Sequence, residues 1–523
     1  MKTLRFCFMV MLFITSISIH AQNTRSTVSG TVVSPDKIPL ENVSVSIEGT
    51  HYGALSDENG KFRFSGPIGQ YMLVGSSLDH KPYKSAVNLK RGESTFNIVL
   101  TEKAHELTEV VVEAGVNRFS NKESEHIARL PLKNLENPQV YSVIGKDLIK
   151  EQIIVNFDDA LKNSPGIDKL WSSTGRGGDG AAYFTIRGFA VQPTMVNGLG
   201  GQTNGGLDPA NIERIEVLKG PSGTLFGSSL VSFGGLINIV TKKPFENFAG
   251  DISYTMGSYG LSRIAADINT PIDKEKKLLL RTNAAYQSEN SFQDAGFKKS
   301  VFLAPSLLYK ANDRLSFTVN TEFYTSESTN PLMVFLNRSR ELEYKTPDAL
   351  GMDYKRSFTS NDITIKTPTT KLFGMMEYKL SDKWTSQTSV SYSNRQSKGL
   401  YSYVMFLQPL RDDSLSRWVG SQNTTGTTVD IQQNFVGDFK IGNMRNRLVV
   451  GFDYFNSKSN SSSNYVAFDT INSQVADPNY TNLSAAAVNA KLSGYSPYLS
   501  NSNANTYSVY FSDVLNVTDR LLL

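Results

Sequence analysis

The sequence is almost without cysteine. Among 523 residues the only one is Cys7, so the chain beyond it has no means to form a disulfide, a thiolate metal site or a cysteine nucleophile. Histidine is scarce as well. His20, His51, His80, His105 and His126 are the full set, none stands in a His-Glu-x-x-His arrangement, and residues 105–109 (HELTE) lack the second histidine that a zinc helix requires. A histidine-built metal centre or triad beyond residue 126 is excluded, and these side chains are expected to be solvated. Charge of one sign is also missing, since 53 basic residues stand against 49 acidic ones for a net +4, which points to no nucleic-acid partner.

Long apolar runs are confined to residues 6–19. Lys2 and Arg5 precede that run and His20-Ala21-Gln22 follows it, the order of a cleavable secretory signal with cleavage expected after Ala21. The run is shorter than the roughly 20 residues of an anchoring helix. With no cysteine at the cleavage point, a lipid-anchored N-terminus is not expected.

What is present is aromatic and alternating. The chain holds 23 Tyr and 29 Phe with only 39% hydrophobic residues, the balance expected where lipid-facing apolar positions alternate with polar ones on the other face of a strand. Residues 314–324 put Leu315, Phe317, Val319, Thr321 and Phe323 on one face and Ser316, Thr318, Asn320, Glu322 and Tyr324 on the other. Ile252, Tyr254 and Met256 repeat the period, as do Leu448, Val450, Phe452 and Tyr454, then Tyr507, Val509 and Phe511. Tight turns at residues 311–314, 380–383 and 517–520 alternate with Ser/Asn/Thr-rich excursions at 325–368, 396–428 and 457–504, which are expected to be long loops. Ahead of all this, residues 27–101 alternate short β-like runs with turn clusters and predict a small β-sandwich.

Residues 211–244 (NIERIEVLKGPSGTLFGSSLVSFGGLINIVTKKP) combine an amphipathic run, glycine-rich turns and an apolar strand. A phosphate-binding loop fails here, because Gly220, Gly223 and Gly227 are not followed by the lysine that such a loop brings to the phosphates. Together with residues 137–168 (NPQVYSVIGKDLIKEQIIVNFDDALKNSPGID) and 184–189 (FTIRGF), the stretch resembles the plug of a TonB-dependent outer-membrane receptor. The plug opening is more similar to ferric-siderophore receptors than to glycan or cobalamin importers. Residues 30–62 resemble the carboxypeptidase-regulatory-like domain that precedes the plug in Bacteroidetes-type receptors, a name that implies no peptidase.

The resemblance implies a mainly β fold in six parts: a signal peptide (1–21), a carboxypeptidase-regulatory-like β-sandwich (22–103), a TonB box (104–116), a polar linker (117–136), a mixed α/β plug (137–244) and an antiparallel transmembrane β-barrel (250–523). It implies the outer membrane as location and three partners: the TonB energy-transducing protein with its inner-membrane motor, a ferric siderophore, and outer-membrane lipid. It implies no catalytic residue, cofactor or metal site. Leu107, Thr108, Glu109, Val110, Val111 and Val112 resemble the box, an extended peptide suited to adding a strand to a partner's sheet edge; the open alternative makes Val110–Val112 the sandwich's last strand. Arg187 and Lys219, flanked by Glu213 and Glu216, match plug positions that meet acidic residues of the barrel wall. Lysine at 219 lacks arginine's planar fork. Residues 175–180 (GRGGDG) are expected as a mobile loop that faces ligand, and the resemblance implies no particular ligand-contact residue. About eleven strands are counted against the family's twenty-two, so the chain is expected to be a fragment or a truncated product. A binding or signalling module and a secreted enzyme are the rival readings, and the latter has no converging nucleophile, base or metal cluster.

Overall fold

The computed structural model describes residues 25–35, 37–77, 80–101, 119, 123–137, 139–177, 180–201, 207–221, 223–226, 232–337, 341–406, 413–474, 476–518 and 521–523. The chain divides into two compact units, residues 1–116 and 117–523. Leu107 to Val112 lie outside the described residues.

The first unit is a sandwich of a three-stranded sheet, in the order Lys61–Pro67, Arg25–Val33, Gly92–Val99, and a four-stranded sheet, in the order Gly53–Leu55, Ser44–Ile47, Gly69–Ser77, His80–Leu89. Alternation puts Val28, Val32, Val45, Ile47, Leu73 and Ile98 between the sheets. Gly30 is required by proximity: a Cβ there would stand 1.8 Å from the Phe96 carbonyl oxygen. His80, the first residue of the strand His80–Leu89, is buried rather than solvated.

In the second unit the plug holds a five-stranded sheet, in the order Tyr141–Gly145, Ile212–Lys219, Gly235–Thr241, Pro193–Val196, Leu199–Gly200, and a three-stranded sheet of Ile167–Trp171, Tyr183–Ile186 and Phe189–Val191. All seven residues of Gly235–Thr241 are buried, as a continuous apolar run in a central strand should be. The helix Lys146–Glu151 and the short turns from Phe157 to Asn163 place Ile149, Phe157, Ala160 and Leu161 on the same core. The strand Tyr183–Ile186 stops within the FTIRGF stretch. Arg187 and Gly188 both have positive φ (52° and 85°), so they turn the chain.

Residues 123–136 depart from the expected polar linker. Ile127, Ala128, Leu130 and Leu132 are buried; Ile127 packs with Met195, Leu218 and Phe226, and the other three with Val449 and Val514 of the wall. The segment is a wedge between plug and wall. Only Glu123↔Lys133 and Ser124↔Leu132 pair as strand within it, so side chains hold most of it in place.

The wall is an antiparallel sheet that runs through Ala249–Met256, Ser262–Pro271, Leu278–Asn290, Phe297–Asn312, Leu315–Ser328, Thr369–Ser381, Trp384–Met405, Ser414–Ile441, Met444–Asn472, Tyr498–Thr518 and Leu521–Leu522, with Ile365–Lys366 bridging its neighbours above Thr369. Its links are tight at one end, as at residues 313–314, 382–383 and 442–443, and mostly long at the other, as at 329–364 and 473–497. The outward face carries exposed Ile252, Val301, Leu303, Val319, Leu372, Val390, Ile431, Val509 and Phe511, while Asn283, Gln287, Asn320, Thr428, Gln432 and Asn434 fill the inner face. Apolar-out and polar-in is the pattern of a transmembrane barrel wall.

Two expected loops are strand over much of their length. Residues 396–405 and 414–428 pair with each other, and 457–472 continue the same ladder. Their Ser, Asn and Thr content reads as loop because a ladder that has left the lipid needs no outward apolar side chain; backbone pairing alone extends it. On the outer face of this extension, loops 329–364 and 473–497 fold back and build their own cores, one from Leu350, Phe358, Val404, Phe406, Leu415 and Ile471, the other from Ile363, Val419, Val466, Leu483, Val488 and Leu492.

Candidate functional site

Two constellations stand out where the plug meets the wall. The first, near the long-loop end, is made by plug residues 172–177 against three neighbouring wall strands. Ser397 donates to the Gly175 carbonyl, and a Cβ on Gly177 would lie 2.6 Å from Thr424. These contacts carry Arg176 over the Tyr401 ring at 4.6 Å. Tyr401 begins an aromatic ladder across the inner face: Tyr401–Tyr403 at 6.3 Å, Tyr403–Trp418 at 6.0 Å and Trp418–Tyr465 at 6.3 Å, with Phe335 edge-on to Tyr403 at 5.3 Å. Register explains the alignment, since Tyr403 pairs with Trp418 and Gly420 with Tyr465. A bulge between Arg417 and Trp418 shifts the pairing there, a device that re-aims side chains beside functional sites. The Trp418 indole N–H is buried without a hydrogen-bond partner. Rings, a guanidinium and an orphaned donor on one concave wall suit an electron-rich ligand with acceptor oxygens.

The second constellation locks the plug to the wall. Arg263 makes a bidentate pair with Asp208 at 2.6 and 2.8 Å, both side chains nearly inaccessible. Asp208 also caps the turn Pro209–Asn211 through the Ala210 N–H. Arg447 grips Glu136 at 2.7 and 3.1 Å, and although burial pushes the Glu136 carboxyl up, Arg447 brings it below its ordinary range. Lys242 reaches Asp267 at 2.9 Å, and Asp430 accepts from the Gly200 N–H at 2.6 Å. Arg129 sits at φ 55°, between the Tyr510 ring at 4.1 Å and the Phe226 ring at 5.1 Å, with Asp453 at 3.7 Å. Charge and π-faces around one buried guanidinium hold a backbone conformation that costs an ordinary residue about 1 kcal/mol or more.

Beside this lock lies a cavity of about 290 Å³ lined by Glu125, His126 and Lys243 of the plug region and by Asn320, Gln387 and Gln432 of the wall. Burial pushes the His126 imidazole below its ordinary value, against the pull of Glu216 and Glu125. His126 is thus no solvated linker residue; the wedge carries it inside. Burial would raise Glu125, yet Lys243 at 2.8 Å, His126 and Arg214 bring it down to about 2.

The residues matched to a plug–wall lock in the sequence have their described contacts inside the plug or, for Glu216, also with Ser124 of the wedge. Glu213 accepts from Lys146 at 2.6 Å. Glu216, fully buried, accepts from Ser124, Arg214 and Asn238 at 2.6, 2.7 and 2.9 Å. Lys219 donates to the Pro165 carbonyl at 2.6 Å. Arg187 lies over Gly220, where a Cβ would meet its guanidinium at 2.8 Å and where φ is 106°. The wall contacts fall instead to Glu136, Arg129, Asp208 and Lys242. Sequence reading missed Arg129 and Glu136 because they sit in the supposed linker; buried-type residues at 127, 128, 130 and 132 were the available signal.

Comparison with known proteins follows the same outline. The family described as TonB-dependent Receptor Plug Domain matches residues 133–232, and the CarboxypepD_reg-like domain matches residues 28–112. The Ferripyoverdine receptor of Pseudomonas aeruginosa is 26% identical over 344 residues, covering 63% of this chain and 41% of that protein. The Catecholate siderophore receptor Fiu of Escherichia coli K12 is 23% identical over 411 residues, covering 73% and 51%. Among solved structures, the Pseudomonas aeruginosa ferripyoverdine receptor bound to ferripyoverdine superposes with a TM-score of 0.65 at 19% identity, over 81% of this chain and 55% of that one. This chain spans about half the length of the curated relatives it matches. Both of those relatives are named as receptors.

Proposed function

We propose, on the premise that this chain is built as a TonB-dependent receptor of the siderophore type, that it serves an outer-membrane receptor which captures a ferric siderophore at the long-loop end and admits it when TonB displaces the plug. The observation that carries the reading is the stacking of the plug's Arg176 on Tyr401, at the head of the ladder formed with Tyr403, Trp418 and Tyr465. A ligand held there touches wall and plug at once, so its occupancy can be sensed by the element that must move. Leu107 to Val112 supply the strand that TonB pulls, and Arg187, exposed on the plug surface, remains available to an acidic wall partner.

The test titrates the full chain in detergent with ferric siderophores and reads tryptophan fluorescence. Arg176→Ala and Trp418→Phe should each weaken binding about ten-fold or more, the size of one lost stacking or charged contact. Unchanged affinity in the double variant removes the ladder as the site. Deleting residues 107–112 should abolish energised uptake and leave surface binding intact; uptake at the parental rate removes that segment as the box.

A further inference from the structure

Four neighbouring wall strands share one register row near the long-loop end. Lys299 stands opposite Glu327, Glu327 opposite Lys366, and Lys366 opposite Lys398. All four side chains point outward: their strand neighbours Ser300, Ser326, Ile365 and Ser397 are the buried, inward ones, and Ile365 contacts the plug at Gly175. Along the same outward face, the residues on the tight-turn side of the row include exposed Val301, Leu303, Leu372 and Val390. Beyond Lys398, the outward Leu400 and Val404 pack under the folded-back loops. The row therefore occupies the strip between the lipid-facing band and the loop cores, where headgroups lie.

The composition of that strip is unfavourable to the protein alone. Like charges directly opposite on paired strands repel, and Lys366 and Lys398 are such a pair. Glu327 relieves only part of this, at 3.5 Å from Lys366 with both side chains largely exposed, and an exposed pair of that length contributes little. Among the described residues Lys398 has no carboxylate partner, and Lys299 has only the Phe297 ring at 5.7 Å. Opposed ammonium groups a strand spacing apart, open on one side, present a seat for a multivalent anion.

We propose that Lys366 and Lys398, with Lys299 beside them, bind the phosphate groups of a phosphorylated glycolipid in the outer leaflet. The proposal rests on the reading of this sheet as membrane-spanning. Each lysine near a charged membrane surface contributes attraction that falls off within a Debye length. Lipid is the source rather than free phosphate because the row continues the apolar band, so acyl chains and headgroup are met together. The bound lipid would fill the seam below the loop cores and fasten them to the membrane surface.

The experiment refolds the full chain with phosphatidylcholine vesicles that contain bis-phosphorylated lipid A, its dephosphorylated form, or neither, and counts retained lipid A by native mass spectrometry after detergent extraction. The parent should retain the phosphorylated lipid at least ten-fold over the dephosphorylated one, with millimolar inorganic phosphate unable to displace it. Lys366→Gln with Lys398→Gln should lose that preference. Lys398→Glu separates binding from folding, since it replaces a repulsive cross-strand pair by an attractive one: the sheet should resist urea as well as the parent does while retention falls about ten-fold. Equal retention of both lipids by the parent, or parental retention by Lys398→Glu, overturns the site with the membrane reading intact. Failure to float with vesicles of any composition overturns the membrane reading and this proposal with it.

Discussion

The strands Trp384–Met405, Ser414–Ile441 and Met444–Asn472 are each two different objects end to end. Toward the tight turns, Val390, Ile431 and Phe452 face outward and are exposed. Toward the long loops, outward positions such as Gln396, Thr425 and Asn460 are polar until the folded-back loops bury Val404, Leu415, Val419 and Val466. The same hydrogen-bond ladder runs through both halves. What differs is the surroundings: lipid demands apolar side chains, water tolerates anything that does not break the ladder, and a covering loop restores the demand.

The largest way to break that comparison is Arg417→Ala. Arg417 is fully buried, bidentate to Asp469 at 2.6 and 2.9 Å, and bonded to the Tyr480 and Asn479 carbonyls at 2.8 and 3.0 Å. Its removal strands a carboxylate and two carbonyls beneath the loops, at a cost of about 3–5 kcal/mol. Hydrogen exchange should rise sharply over residues 473–497 with little change near Val390. A uniform rise would show that the two halves melt as one and that the division is only compositional.

A lysine scan sharpens the boundary itself. Val390→Lys, in the middle of the outward band, should cost about 2–4 kcal/mol in urea refolding into lipid vesicles, whereas Gln396→Lys on the same strand and face should cost roughly 0–1 kcal/mol. Equal costs at both positions would move the lipid boundary beyond residue 396.

Acid should act on the plug more than on either half of the wall. A neutral, buried His126 resists a proton that the unfolded chain accepts near 6.5, so its contribution is present above that pH and is lost as pH falls below it. Glu125, at about 2 against an ordinary 4.5, contributes above 4.5 and loses that contribution toward 2. Both signs agree. Exchange over residues 123–133 should increase between about pH 7.5 and pH 5.5, with His126→Gln flattening the change in that window; a segment equally protected at both pH values counts against a neutral His126. The smallest effect belongs to the water-bounded half, where Asn460→Val, on an exposed outward position, should stay within about 0.5 kcal/mol.

Much of this was legible from residues. Period-2 alternation placed the wall strands at 252–256, 315–324, 448–454 and 507–511, and tight turns were found where Asn312-Asp313 and Asp382-Lys383 interrupt it. The strand Ile212–Lys219 was visible as an amphipathic run ahead of glycine-rich turns. Two physical facts hid the rest. Strands beyond the lipid carry no alternation to read, and the wedge at 123–136 buries apolar side chains only in the short run Ile127 to Leu130 and then at Leu132, a stretch interrupted by Arg129 and set among polar residues that reads as linker. The ladder of Tyr401, Tyr403, Trp418 and Tyr465 depends on cross-strand register, and register is not written in any one strand.

The strand Met444–Asn472 has 29 residues. At about 3.3 Å per residue it is roughly 95 Å long, and with the tilt of about 45° common to such walls it climbs roughly 65 Å, twice the ~30 Å of a hydrocarbon core. Because the tight turns close the other end within a few residues of the outward apolar band, nearly all the surplus stands on the side of Trp418 and Tyr465. The mouth of the lumen is then a turret lifted clear of the lipid surface by about the membrane's own thickness, held up by backbone pairing rather than by an apolar band.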